Sequence, residues 1–501
     1  MKQISLFRVA LALTTTFIGI GSAAGQTRAD STAWDKTALR QYIDEALADE
    51  VKEQLENMPN IEIGKGLTFA PNDESFKTTI RFRMQNLAGA TFDRHMSITE
   101  TEAQIRRLRL RFDGYVFSPK LIYSIQLGFS GSDAKPTPNG TTNIVKDGII
   151  YYKPNSSWSI GFGQTKLKTN RARINSSSAL QFVDRSIVNS TFGGDRDFGL
   201  FGEYHRGGVD GFAFSSFASV TLGEGANWRK SSDNGLAYTG RVEFFPFGKF
   251  HAKGEYTEGD TYYENSLKLM VGAGYSFNQN ACLGQGFKGS LLDGTSNIGG
   301  YYADIALKYR GFAVNADFMG RYASNPSDVN SSDAFIFTGQ GTNFQASYLF
   351  DKKWEVAVRN STILPDGCIR DFAGYKVWNQ STVGLTRYII GHSLKVQLDL
   401  SYNAMKDAVS NDYDRFGVRF QIELGLSVPE TTWFIDARTT SVVERFAGAH
   451  PSHIVGPVLS QGRGRPCLST AHVVRALCET FITNSRHGGV RRFGLVRSGT
   501  A

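Results

Sequence analysis

From about residue 76 onward, apolar and polar side chains alternate with a period of two. In "KTTIRFRMQN", Ile80, Phe82 and Met84 fall on one side and Arg81, Arg83 and Gln85 on the other. "RRLRLRFDGYVF" sets Arg107, Arg109 and Arg111 against Leu108, Leu110 and Phe112. "LIYSIQLGFSG", "SWSIGFGQ", "GFAFSSFASV", "LAYTGRVEFFPF", "FHAKGEYTEG", "KWEVAVRNSTIL" and finally "RFQIELGL" (419–426) read the same way. Period two marks strands whose faces meet different surroundings. The segments run to roughly ten residues, enough for a tilted strand to cross a bilayer. Sandwich strands are usually about half that length. Short breaks ("PFGKF", "YRGF", "YIIGH") alternate with long polar ones, as in outer-membrane barrels. The pattern predicts an all-β, antiparallel transmembrane β-barrel over 76–426, of about 16 strands with about 18 as the alternative, because bacterial single-chain barrels use an even number. Aromatic doublets (Tyr151 and Tyr152, Phe244 and Phe245, Tyr301 and Tyr302) suit interfacial girdles.

Two segments depart from this period. In "DKTALRQYIDEALADEVKEQLENM" (35–58), Leu39, Ile43, Leu47, Val51, Leu55 and Met58 recur three or four apart. That predicts a short N-terminal periplasmic helix over 33–59, either packed on its own domain or self-associating in an oligomer. Residues 1–25 carry Lys2 and Arg8, an apolar run and small residues before Ala24 and Gly25. This is the layout of a cleaved export signal, and it predicts an exported chain. No later run is apolar and long enough for a membrane helix.

Composition refines the picture. The sequence pI is near 9.1, but residues 427–501 hold nine Arg, no Lys and four acids. Without that segment and 1–25, 44 basic residues face 43 acids. Global charge therefore excludes little, and local placement matters. Residues 427–501 also hold half of the His and Cys and show no strand or helix period. They read either as a basic tail that binds something anionic or as an atypical, Arg-rich extension without an evolved fold. Cys282 and Cys368 lie in loop-like stretches and could pair in an oxidising compartment. No cysteine spacing suits zinc, and no metal or other cofactor is expected.

The alternating arginines carry the functional argument. In a barrel, Leu108, Leu110 and Phe112 face lipid while Arg107, Arg109 and Arg111 face the lumen, joined by Arg81 and Arg83. The opposite register would place each Arg in lipid at roughly 2–4 kcal/mol. Lumenal guanidiniums stay charged and fork onto phosphate or carboxylate oxygens, so a row of them guides anions. The alternative is that they pair with acids across the barrel, and Asp113 on the same face points that way. The long aperiodic stretch 165–197 carries Lys166, Lys168, Arg171, Arg173 and Arg185. It reads as a loop folded into the barrel that narrows it with cations, or else as a solvated outer loop.

"RRLRLRFDGYVF", "KDGIIYYKPNSSWSIGFGQTKLKT", "SSSALQFVDRSIVNSTF", "GDRDFGLFGEY" and "RFQIELGL" together resemble the phosphate-selective porins O and P of Gram-negative outer membranes, over about 77–426. The resemblance implies a 16-stranded homotrimeric porin whose inward loop and Arg ladder conduct small anions such as phosphate. It places Arg107, Arg109 and Arg111 in the ladder and Lys166, Lys168, Arg171 and Arg173 in the constriction segment, and it matches Arg196 and Asp197 at the next strand's start. The family's phosphate-binding lysines do not align one by one, and its members lack a counterpart of 427–501. Competing readings are a general or anionic-sugar diffusion porin and, from another class, a barrel hydrolase. The sequence has no HExxH helix and no GxSxG elbow, and "GFGQTK" lacks the ending of a phosphate loop. His251 and His392 read as strand residues. The balanced core charge and the export signal argue against nucleic acid as a partner, leaving outer-membrane lipid and small anions.

Overall fold

Sixteen consecutive strands pair antiparallel, each with its sequence neighbour, and the last returns to the first. They are β3 (Phe76–Asp93), β4 (Ile98–Val116), β5 (Ser118–Gly128), β6 (Val145–Tyr152), β7 (Trp158–Lys166), β8 (Arg196–Arg206), β9 (Ala213–Thr221), β10 (Ala237–Phe245), β11 (Lys268–Leu283), β12 (Leu291–Tyr309), β13 (Phe312–Ala323), β14 (Gly339–Phe350), β15 (Trp354–Pro365), β16 (Lys376–Ile390), β17 (Leu394–Asp407) and β18 (Tyr413–Gly425). Pairing of β18 with β3, from Arg415↔Asp93 to Gly425↔Arg83, closes the barrel. A small hairpin, β1 (Asn60–Glu62) and β2 (Gly66–Phe69), is added beside the start of β3. The structure is a computed structural model and describes residues 60–62, 66–71, 75–133, 144–227, 235–326, 335–370, 374–407 and 413–426. The export segment 1–25, the helix expected over 33–59 and the segment 427–501 lie outside the described residues.

Burial is inside-out relative to a water-soluble protein. Ile150, Ile160, Phe162, Leu200, Phe344 and Leu400 are exposed, while Glu243, Lys308, Glu355, Lys395, Ser361 and Gln421 are buried. Exposed apolar side chains on strand after strand call for a nonpolar solvent, which a bilayer supplies, and closure leaves no strand edge in it. Alternation also splits the aromatic doublets. Tyr152 and Phe244 are exposed, but Phe245 and Tyr302 are buried and Tyr151 packs on a buried cluster. Only one member of such a pair can join an outer girdle.

Three sequence expectations need correction. "FHAKGEYTEG" is not a strand: despite its alternation it contains a 3-10 segment, His251–Tyr256, broken at Ala252 and Lys253, within a long inward connection from 246 to 267. His251 therefore sits in that connection and His392 in the turn between β16 and β17, neither in a strand. Cys282 and Cys368 are not joined to each other, one being buried and one exposed; Cys282 Sγ lies 2.6 Å from a Glu224 carboxylate oxygen.

Candidate functional site: the arginine wall and the inward loop

The connection between β7 and β8 enters the lumen and carries two short helices, α1 (Arg171–Ile174) and α2 (Ile187–Phe192). Ser186 caps α2 by accepting from the Asn189 amide at 3.1 Å. One face of the loop is apolar. Ala172, Ile187, Val188 and Phe192 pack on Tyr302, Met319 and Ile363 of the barrel's inner wall, each large side chain contributing about 1.5–3 kcal/mol by burial. Phe182 reaches the wall because Gly384 has no Cβ; one there would lie 2.9 Å from its ring. The Arg359 guanidinium covers that ring at 4.3 Å. Polar ties complete the docking: Val183 N donates to Asp399 (2.8 Å) and Lys395 Nζ to Leu180 O (2.7 Å). The loop is thus fastened to the β10–β17 half of the barrel.

Its other face looks at β3–β8. Exposure there is mixed: the side chains of Arg81, Arg106 and Arg111 are 30%, 28% and 46% exposed, while Arg83 and Arg107 are buried, as Lys308 and Lys395 are opposite. Water thus reaches part of the arginine wall beside the loop, and the loop face turned to it is the passage face. Register places Arg81 opposite Arg111 and Arg83 opposite Arg109 on that wall. A bulge makes Arg106 the extra residue between paired Ile105 and Arg107, and both Arg106 and Arg107 reach Asp184 of the loop, at 3.0 and 3.6 Å.

Every ladder arginine has a polar partner. Arg81 and Arg111 both meet Asp113 at 2.7 Å. Arg109 forks onto Asp133 at 2.7 and 2.8 Å. Arg83 donates to Ser177 (2.7 Å) and lies 3.9 Å from Glu423, and Arg107 donates to Gln85 (2.7 Å). The loop cations divide. Arg173, bound to Asp195, and Arg185, donating to the Ala172 and Asn175 carbonyls, are partly exposed on the passage face. Lys166 ends β7 rather than lying in the loop and turns onto Asn175 O (3.1 Å). Lys168 sits 3.9 Å from Glu203. Arg171 points away from the passage, is 2% exposed, and donates to Glu255 O at 2.6 Å. Arg196 forks onto Asp147 at 3.0 and 3.2 Å, and Asp197 accepts from the Gly223 amide.

The cations crowd one another. Burial, then the Arg185, Arg196 and Arg109 guanidiniums, push Arg173 well below the usual arginine range. Burial and Arg107, Arg109 and Arg196 lower Arg185 to about 9 against the pull of Glu258, leaving it charged at neutral pH. Repulsion of this kind is relieved by an anion. Sequence reasoning saw Asp184 as the lone acid of the basic stretch but not its pairing with Arg106 and Arg107, and it missed Asp133, which follows β5 and meets Arg109. It also missed Arg106, whose inward turn depends on the bulge.

The sequence profile of the phosphate-selective porin O and P family matches residues 76–424, the whole of the closed barrel. The chain belongs to that family. It is therefore an outer-membrane porin, a channel by family and fold. Solved structures similar to this porin include an anion-selective porin from Comamonas acidovorans (10% identity, 70% of this chain and 99% of that one, TM-score 0.45). Others are Pseudomonas putida OprB (11%, 70% and 94%, 0.45) and OmpT of Vibrio cholerae (9%, 71% and 99%, 0.42). At such identities and scores these likenesses add nothing to the pairing described above. None of the curated proteins matches this porin's sequence.

Proposed function

We propose that this porin passes small anions, phosphate among them, by diffusion between the arginine wall of β3–β8 and the passage face of the inward loop. The observation that supports the reading is that the exposed part of this side of the lumen is rich in cations, Arg81, Arg106 and Arg111 on the wall and Arg173 and Arg185 on the loop, with fewer acids among them. The protein would reach the outer membrane through its export segment and work there as a homotrimer, a state that cross-linking in detergent checks. Replacing Arg107, Arg109 and Arg111 together with Gln lowers the chloride-to-potassium permeability ratio, read as reversal potential in a KCl gradient. An unchanged ratio in a folded triple variant refutes the reading.

A second reading, a general or anionic-sugar porin, is favoured by the pairing of Arg81, Arg109 and Arg111 with carboxylates, which weakens their net field. Block of chloride current separates the two. Phosphate blocking at lower concentration than sulfate supports a phosphate path, and equal weak block supports the general one.

A further inference from the structure

At the barrel rim where β3 begins, connections are short turns such as 310–311 and 391–393. The exception, 246–267, turns back into the lumen as a strap. It reaches the buried underside of the inward loop, where Glu258 N donates to Ala179 O (3.2 Å) and Gln181 N to the Glu258 carboxylate (2.8 Å). Lys308 of β12 holds it through Gly254 O, Thr257 Oγ and Gly259 O at 2.6–2.7 Å. Both ends of the inserted part are strained: Ala252, Lys253 and Tyr263 have left-handed φ of 49°, 54° and 65°, a region side chains other than glycine rarely enter. Inside the plug, Glu255 is 4% exposed and its Oε2 has no hydrogen-bond partner among the described residues.

We propose that the strap is a removable second plug, which closes the half of the lumen behind the inward loop and on withdrawal opens a wider, weakly selective path along β10–β15. The wall it covers carries Glu243, Asp304, Asp317 and Glu355 beside Arg241, Lys268 and Lys308, a near balance that favours neither sign of ion. A buried carboxyl with one oxygen unbonded, flanked by strained hinges, makes withdrawal depend on pH. Glu255 faces Glu243 of β10, itself bonded to Arg241 and Tyr256, together with Lys249 on the strap and Lys308 of β12, while Arg171 bonds its carbonyl. Burial, opposed by a backbone amide, and then Glu243, opposed by the two lysines, lift Glu255 to about 7. In water it would titrate near about 4.3. The inserted strap thus prefers the protonated acid. Its advantage is full below about pH 4.3, falls roughly a few hundredfold as pH rises to about 7, and is level above.

Single-channel recording of the full chain from pH 4.5 to 8.5 tests this through conductance rather than through the selectivity used for the arginine wall. A large, weakly selective level becomes more frequent up to about pH 7 and then plateaus. Glu255→Gln removes the pH step and stays in the small level, while Lys308→Met favours the large level throughout. Heat-modifiable gel mobility identifies folded barrels. The proposal is overturned if folded Glu255→Gln keeps the wild-type pH dependence, or if a folded variant with 249–266 replaced by a short turn keeps wild-type conductance.

Discussion

Asp184 offers a single-charge probe of the passage. It lies on the passage face of the inward loop, 3.0 Å from Arg106, 3.6 Å from Arg107 and 3.3 Å from Arg419, with its side chain 24% exposed. Asp184→Asn keeps the shape and one acceptor oxygen while removing a negative charge. For an anion passing at about 7 Å in a medium of effective dielectric about 40, that charge costs about 1.2 kcal/mol. At 0.15 M salt the screening length of about 8 Å cuts this to about 0.5 kcal/mol, a roughly twofold gain in anion permeability. At 0.01 M the length is about 30 Å, and the gain becomes roughly fivefold. The loop stays docked, because the bonds of Val183, Gln181 and Lys395 are untouched. The assay is the chloride-to-potassium permeability ratio at both salts. A ratio that does not move at either, or that falls, refutes placing the passage between loop and arginines.

Further expectations concern the scaffold. Arg241 bridges Glu243 and Asp304 with no exposure, so Arg241→Met strands two buried carboxylates, costs about 3–5 kcal/mol and lowers the temperature at which gel mobility changes. A Cβ at Gly114 would lie 1.6 Å from the Lys77 carbonyl oxygen; Gly114→Ala therefore parts β3 from β4 and cuts the yield of folded barrel, while Gly131→Ala, with nothing within 4 Å, does not. Because β18 completes the ring by residue 425, deleting 427–501 leaves heat-modifiable barrel assembly intact.

The barrel was legible because its two solvents write themselves onto alternate residues: Phe82 and Arg81 cannot exchange faces. The inward course of 167–195, most of the stretch read as a loop over 165–197, was legible too, since a long aperiodic basic stretch with a few apolar residues fits a loop that docks. What stayed hidden depends on partners far along the chain. Arg106 meets Asp184 of the inward loop only once that loop folds back, and Arg109 meets Asp133 through the turn after β5, so an arginine row looks barer in sequence than in the lumen. Phe250, Ala252, Gly254 and Tyr256 alternate as a strand would, yet left-handed backbone at Ala252 and Lys253 turns them inward, a choice made by Lys308 and the loop above. Arg171 was read among the constricting cations, but the polypeptide carbonyls of the strap draw it to the sealed side.

The seam between β3 and β18 also dictates timing. Its partners, such as Asp93 and Arg415, stand more than three hundred residues apart, so no early fragment of the nascent polypeptide can satisfy them. Until the final strand is delivered, two unpaired rims would have to sit in hydrocarbon, where orphan amides are intolerable. Insertion of the closed ring must therefore wait for its last strand.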